Sequence, residues 1–379
     1  MKVLCNLSSK NIGGMVNYLK GFSSVLETDN GFEMVGWQIL KSEPIAQAPF
    51  GEQITHRPLV CPEFFETPFF ADAKNYKELS IKLEPIISWV EELILKEKPD
   101  LILIYGTFWV PWVLLKAAER SGVPAIHYYA GSLVLETLGF KVYQKKIFRT
   151  LERDFDSSII KSHIFPSEIA RRRIEKDVHG KQLLNSVVIH NGIDTGFFIE
   201  KQECLNKVGF VFRWTEVKNT EIIFKLAEIN KEKEGPLEFF VVTDIRETHR
   251  DYKKLKRVAT ILSPMGYEEL NKFYSGCSVI VSPSNFETFG NVPLEAIFAG
   301  TAALVNKNMG VSEVYKRIGL SDLVVDFSDP EKVYHHILDA QAMLIPTELR
   351  HKIKENYSFE NIYLEYLEIF RKNAEIVLQ

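Results

Sequence analysis

The chain has 379 residues, 46% of them hydrophobic and 25% charged, which is longer than one hydrophobic core usually supports and predicts two domains. Its 46 basic and 50 acidic residues are well mixed and give a formal charge of −4. A run of nucleic-acid phosphates needs a polycationic face, so no nucleic-acid partner is expected. No apolar run approaches the roughly 18 residues that span a bilayer.

The cysteines and the amino terminus indicate the compartment. Cys5, Cys61, Cys204 and Cys277 lie far apart, without the close pairs typical of zinc sites and redox dithiols. This spacing favours a reduced, cytoplasmic setting. The start Met1–Asn6 is apolar too briefly for a signal peptide, so we interpret it as a buried first strand.

The first half of the chain alternates short apolar runs with helical patterns, which is typical of a doubly wound parallel sheet. The predicted strands of this first series are Met1–Leu7, Phe32–Leu40, Leu101–Tyr105, Ala125–Tyr129 and Ser158–Phe165. Residues 41–75 are interpreted as a loop, because several prolines interrupt any regular element there.

A second series of strands follows the polar, glycine-containing stretch His179–Asn185, where we expect the domain junction. Its predicted strands are Ser186–His190, Val208–Phe212, Leu237–Thr243, Ala259–Leu262, Ser278–Ser282, Ala302–Val305 and Leu323–Val325. The chain ends in an amphipathic helix beyond Ser358. The prediction is an α/β fold of two Rossmann-like domains, at 1–180 and 186–357, with a terminal helix at 358–379.

The strongest motif runs from Ser282 to Ala296, with the sequence SPSNFETFGNVPLEA, and joins a strand end to a glycine turn and a helix start. Such a junction forms an anion site. Glu287 precedes the predicted helix and Glu295 lies about two turns inside it, and a carboxylate can accept two sugar hydroxyls at once. The spacing alone leaves an alternative open, in which Glu287 caps the helix and Glu295 is solvated.

This segment resembles the E-x7-E signature of the retaining GT-B glycosyltransferases, the group 1 family. Further pieces follow in the family's order and extend the resemblance over nearly the whole chain: Gly13-Gly14, His127, Ser167-Glu168 and the run from His190 to Asp194. The resemblance implies the GT-B fold, with two Rossmann-like domains facing each other across a cleft and a C-terminal helix returning to the first. It also implies a nucleotide-sugar donor and a glycan or lipid-linked acceptor, with no metal and no other cofactor.

The resemblance assigns the site residues. Arg213 and Lys218 would stabilise the leaving diphosphate, although Phe212 stands where the family usually has glycine, and a surface pair is the alternative. Glu287 would position the hexose and Glu295 the ribose. The expected nucleotide-binding set is completed by Gly13, Gly14, Phe289, Gly290 and Asn291.

His127 lies at the end of a predicted strand, at the sheet edge where ligands of open α/β folds bind. The family places a histidine near the transferred hexose, so a sugar contact is expected here. A buried, hydrogen-bonded core histidine is the ordinary alternative.

Two other patterns have simpler interpretations. Asp154-Phe155-Asp156 matches a D-x-D metal motif, but its position after a basic helix indicates helix termination and solvent. Two basic stretches, from Lys141 to Arg153 and the helix with Arg171, Arg172 and Arg173, could contact an anionic membrane, at the inner face of which the protein would work. A solvated face is the usual outcome.

The expected function is therefore a retaining hexosyltransferase in polysaccharide biosynthesis of the cell envelope. A nucleotide-sugar epimerase of the same fold and a non-catalytic glycan-binding homologue are the alternatives.

Overall fold

The computed structural model describes residues 1–7, 19, 21, 31–42, 53–62, 73–137, 139–196, 201–202 and 204–375. The chain forms two units. The first contains Met1–Gly192 and Phe359–Gln379, and the second contains Ile193–Ser358.

The first unit is built on a seven-stranded parallel sheet with the order β3-β2-β1-β4-β5-β6-β7. Its strands are β1 (Lys2–Asn6), β2 (Glu33–Leu40), β3 (Ile54–Val60), β4 (Leu101–Tyr105), β5 (Ala125–Tyr128), β6 (Ile160–Phe165) and β7 (Ser186–Val188). The described helices before the junction are α1 (Tyr76–Glu97), α2 (Trp109–Ser121), α3 (Leu133–Glu136), α4 (Val142–Asp154) and α5 (Glu168–Ile174).

Helix α1 shows how the sequence sets these elements. Asn75 caps its start by accepting a hydrogen bond of 3.0 Å from the backbone N–H of Glu78. Lys98, in the left-handed region with φ 48°, ends it. The buried side chains between these residues recur at helical spacing and pack with those of α2, α4 and the central strands into one core.

Two predictions about strands are wrong. Residues 41–75 are not simply a loop, because β3 lies within them; Pro58 is tolerated there since β3 is an edge strand and needs hydrogen-bond donors on one side only. The strand at Ser186 does not open the second series, because β7 pairs with β6 in the first sheet. The chain passes to the second unit at Gly192, and the stretch before β7 is a turn in which Gly180 has φ +69°.

The second unit has a six-stranded parallel sheet with the order β10-β9-β8-β11-β12-β13. Its strands are β8 (Lys207–Val211), β9 (Glu238–Val242), β10 (Thr260–Leu262), β11 (Val279–Ser282), β12 (Ala302–Asn306) and β13 (Val324–Val325). Its helices are α6 (Glu221–Glu232), α7 (Tyr252–Leu255), α8 (Tyr267–Ser275), α9 (Asn291–Phe298), α10 (Ser312–Ile318), α11 (Pro330–Gln341) and α12 (Thr347–Tyr357). The predicted fold class, two Rossmann-like α/β sheets, is confirmed.

The last described helix, α13 (Phe359–Glu375), returns to the first unit as predicted. Asn373 donates a hydrogen bond of 3.1 Å from its amide to the hydroxyl of Ser162 on β6. Tyr366 packs edge-on against Tyr128 of β5, with ring centroids 5.9 Å apart. None of the helices in the described part of the chain is long and apolar enough to cross a membrane.

Candidate functional site

The loop between β11 and α9 carries the E-x7-E motif and is fixed by backbone hydrogen bonds to two neighbouring loops. The N–H of Asn285 donates to the carbonyl of Val217 at 2.8 Å. On the other side, the N–H of Val311 donates to the carbonyl of Phe289 at 2.9 Å. The loop follows the carboxyl end of a parallel strand, where open α/β folds bind their ligands.

Lys218 and Glu287, 69 residues apart in the sequence, meet at this loop. Lys218 ends the short 3-10 helix Glu216–Lys218, and its Nζ donates to Oε1 of Glu287. Ser284 donates a second hydrogen bond to the same oxygen, at 3.0 Å from its hydroxyl. The side chains of Lys218 and Glu287 are 10% and 23% exposed, so the ion pair is largely buried but still accessible to solvent. The structure thus brings together a cation and a carboxylate that the sequence assigned to one site.

Glu295 lies inside α9 and is 8% exposed, which rules out the solvated alternative. Its Oε2 accepts a hydrogen bond of 2.9 Å from the hydroxyl of Tyr274 on α8. Burial raises the pKa of Glu295 to about 7, whereas the hydrogen bond from Tyr274 acts to lower it. The sequence interpretation missed Tyr274, because the contact joins two helices whose relative register no local pattern reveals.

The turn before α9 depends on Gly290, which has φ +91° and precedes the first helical residue, Asn291. A Cβ at this glycine would stand 2.6 Å from Cε of Met309. Phe289 is 1% exposed, so its side chain belongs to the core and only its backbone is available to the loop.

Arg213 is exposed in the loop after β8, and in the described part of the chain it forms no ion pair with Glu287 or Glu295. The next residue, Trp214, lines an open cavity of about 610 Å³. Asn219 and Asn285, which flank the Lys218–Glu287 pair in the sequence, line the same cavity. The cavity therefore lies beside the two segments that carry Lys218 and Glu287, although neither of these side chains lines it.

His127 is fully buried in β5, and its side chain does not reach the surface where a sugar would bind. Its Nε2 donates to the carbonyl of Gly106 at 2.8 Å, and its ring stacks on Phe155 with centroids 4.2 Å apart. Burial holds the pKa of His127 well below its ordinary value, so the ring is neutral. His127 is therefore placed as a buried, hydrogen-bonded core histidine, and not where the expected sugar contact would require it. Gly13 and Gly14 lie outside the described residues.

Both aspartates of the D-x-D tripeptide are bonded to other side chains of the protein. Helix α4 ends at Asp154 as interpreted, but this carboxylate is not simply solvated, because it accepts hydrogen bonds from Tyr76 (2.5 Å) and Trp112 (2.7 Å). Asp156 pairs with Lys181 at 2.5 Å. Within the described ranges, no three His, Cys, Asp or Glu side chains are grouped so that they could hold a metal ion.

Comparison with known proteins gives the class of the second unit. Residues 195–358 match the profile of the family described as Glycosyl transferases group 1, which confirms the resemblance found in the motifs. A protein in the cps region of Klebsiella pneumoniae is 25% identical over 185 residues, which are 48% of this chain and 46% of that protein. The D-inositol 3-phosphate glycosyltransferase of Corynebacterium urealyticum is 29% identical over 31% of this chain and 28% of its own length. The chain thus spans less than half of each of these relatives.

Solved structures extend the likeness in fold to the whole chain. A sucrose-phosphate synthase from Thermosynechococcus elongatus has a TM-score of 0.75 at 16% identity and covers 98% of this chain and 99% of its own. A glycosyltransferase from Rickettsia africae has a TM-score of 0.69 at 15% identity, covering 98% of both chains. The fold is therefore GT-B, and residues 195–358, most of the second unit, are similar to the group 1 glycosyl transferases.

Proposed function

We propose that this protein is a retaining, metal-independent glycosyltransferase that moves a hexose from a nucleotide-sugar donor to a glycan or lipid-linked acceptor. The contact between Lys218 and Glu287 is the observation that carries this proposal. It joins a fixed cation and a hydroxyl-accepting carboxylate on the edge of the sheet at which ligands bind.

The basic residues would contact the donor's diphosphate, and the acidic residues would contact its sugar hydroxyls. Breaking the donor's glycosidic bond leaves negative charge on the diphosphate, which Lys218 and the exposed Arg213 would stabilise. Glu287 would accept hydrogen bonds from the hexose hydroxyls, and Glu295, once ionised, from the ribose. Phosphate stabilisation should dominate the rate, because a donor aimed at developing charge contributes about 3 to 4 kcal/mol and one hydrogen bond to a carboxylate about 1.5 to 3 kcal/mol.

Retention of configuration would follow from attack on the face that the leaving group departs. The bond between the anomeric carbon and the diphosphate oxygen breaks, and a bond to the acceptor oxygen forms. The acceptor's proton passes to the departing phosphate, so no protein nucleophile and no cofactor is required. The protein side chains would bind and orient the donor and neutralise the charge on its diphosphate.

The biological setting we propose is polysaccharide biosynthesis of the cell envelope, in the cytoplasm and at the inner face of the membrane. The Klebsiella relative, named as a protein of a cps region, supports this setting. The relative that is a D-inositol 3-phosphate glycosyltransferase supports sugar transfer.

Thermal unfolding with UDP, GDP, ADP and CMP tests the proposal. A nucleotide at about 100 times its dissociation constant adds roughly 2.7 kcal/mol to the free energy of unfolding, which raises Tm visibly. Lys218→Met should weaken the response to the stabilising nucleotide, whereas Lys225→Met, an exposed lysine on α6, should not. No response to any of the four nucleotides would contradict the proposed donor class.

A further inference from the structure

A surface at the start of α4 combines exposed apolar and basic side chains. Its apolar members are Phe108, Phe140 and Val142, which are 40%, 47% and 73% exposed. Large apolar side chains exposed together are costly in water, and they mark interaction sites when basic side chains surround them. We call these three residues, together with the basic residues described next, the α4 surface.

The basic members lie on one side of α4. Lys141, Lys145 and Arg149 follow each other at intervals of four residues and so share a helix face, and Lys146 lies beside them. All four side chains are exposed, and among the described residues none forms an ion pair. Their charges are therefore available to a partner.

The acidic residues of α4 do not offset this charge. Glu152 is buried and accepts a hydrogen bond of 2.8 Å from the N–H of Val134. Asp154 faces Tyr76 and Trp112. The basic residues of α5 differ, because Arg171 and Arg172 both pair with Glu168. Of the two helices α4 and α5, only α4 presents basic side chains without an ion-pair partner among the described residues.

The exposed rings are held next to one another. Phe108 and Phe140 both pack on the buried ring of Phe148, with centroids 6.2 Å and 5.2 Å apart. Phe148 thus fixes two aromatic side chains at the surface, bordered by Lys141 and Val142. Two of the three exposed apolar side chains are thus supported by the same core residue.

We propose that the α4 surface docks the protein on an anionic lipid bilayer. Phe108, Phe140 and Val142 would enter the headgroup region, and the four cations would contact lipid phosphates. A second copy of this chain is a poorer occupant, because face-to-face pairing would bring two sets of four like charges together. The charge complementarity therefore favours lipid over self-association.

The α4 surface includes a residue at the ligand-binding edge of the first sheet. Phe108 follows the carboxyl end of β4, at the sheet edge where open α/β folds bind ligands. A bilayer contact there would bring a lipid-linked acceptor to this edge. That consequence rests on the proposed function, whereas the docking itself does not.

Flotation of the full chain with vesicles tests the docking. Vesicles of equal parts phosphatidylglycerol and phosphatidylcholine should bind the protein, and vesicles of phosphatidylcholine alone should bind it much less. Each basic residue near an anionic surface contributes about 1 kcal/mol, so replacing all four by glutamine should weaken binding by roughly a hundredfold or more. A separate variant with Phe108→Ser, Phe140→Ser and Val142→Ser should also weaken it.

A matched control removes the same charge elsewhere, through Lys231→Gln, Lys253→Gln, Lys256→Gln and Arg257→Gln in the second unit, and should bind like the native protein. Three results would overturn the proposal: no binding to the anionic vesicles, equal losses in the control, or an apolar variant that changes only the oligomeric state in solution. Should the apolar variant fail to fold, the charge variant still decides, because it alters exposed side chains only. Nucleotide-induced Tm shifts are measured on the same samples. A protein that responds to a nucleotide but does not bind vesicles would contradict the docking alone, and not the proposed function.

Discussion

Tyr274 donates a hydrogen bond of 2.9 Å from its hydroxyl to Oε2 of Glu295, and both side chains are buried. Burial raises the pKa of Glu295 to about 7. Below that pH the group is protonated and cannot accept two ribose hydroxyls, and above it the carboxylate can. The KM for the donor should therefore fall as pH rises through about 7, measured by release of the nucleoside diphosphate on either side of that pH.

Replacement of Tyr274 by phenylalanine tests this assignment. The hydrogen bond from Tyr274 lowers the pKa of Glu295, so its loss should move the pH profile of donor KM to higher pH. Tyr315→Phe is the matched control, because the buried Tyr315 hydroxyl donates to the carbonyl of Pro293 on the same helix at 3.0 Å without touching a carboxylate. An unmoved profile in Tyr274→Phe would exclude Glu295 as the titrating group.

Lys218→Met should lower kcat by about 10² to 10³, since it removes a fixed cation from the developing diphosphate charge. Glu287→Gln should cost less, roughly ten- to a hundredfold in kcat/KM, because it weakens hydrogen bonds to the hexose. Lys225→Met on α6 is the control and should leave both constants unchanged. Native kinetics in both site variants would exclude Lys218 and Glu287 from the catalytic site.

Much of the second unit could be predicted from the sequence, because its strands are apolar runs and its motif is local. The motif alone predicted that Glu287 lies in the loop before a helix and that Glu295 lies inside that helix, as the structure has them. The same reasoning failed for β3, where Pro58 obscured a strand that the sheet edge tolerates.

Contacts between distant segments could not be predicted in this way. Tyr274 reaches Glu295 because α8 packs beside α9, which is a property of the assembled core. The burial of His127 likewise depends on Phe155, contributed from beyond the end of α4. The end of a strand defines an edge of the sheet, but it does not define the direction of each side chain relative to the packed helices.

Gly290→Ala should separate stability from binding. An alanine at φ +91° costs about 1 to 2 kcal/mol of unfolding free energy, and its Cβ would also displace Met309 in the loop that carries Glu287. Gly319→Ala is matched, with φ +86° and open space around the added Cβ. Both variants should lose stability in denaturant unfolding, Gly290→Ala more than Gly319→Ala because of Met309, but only Gly290→Ala should raise the KM for the donor. A raised KM in Gly319→Ala as well would mean that general destabilisation, and not the loop, is responsible.

The D-x-D tripeptide gives a test of the metal question that does not depend on the donor's identity. Asp154→Ala leaves the half-buried hydroxyl of Tyr76 and the indole N–H of Trp112 without their acceptor, and it also removes an ion pair with Lys116, so it should lower the unfolding free energy by about 2 to 4 kcal/mol. Asp156→Ala loses only a partly exposed pair with Lys181 and should cost less than about 1 kcal/mol.

If the tripeptide instead held a catalytic divalent cation, both substitutions would abolish activity, and EDTA would abolish the activity of the native protein. We expect the native transfer rate to survive EDTA, and both variants to keep their rate below their own Tm. A rate restored by added Mg²⁺ or Mn²⁺ after chelation would overturn the metal-independent mechanism. It would implicate the tripeptide only if Asp154→Ala and Asp156→Ala also lost the restored rate, because the Asp154 carboxylate is occupied by Tyr76 and Trp112.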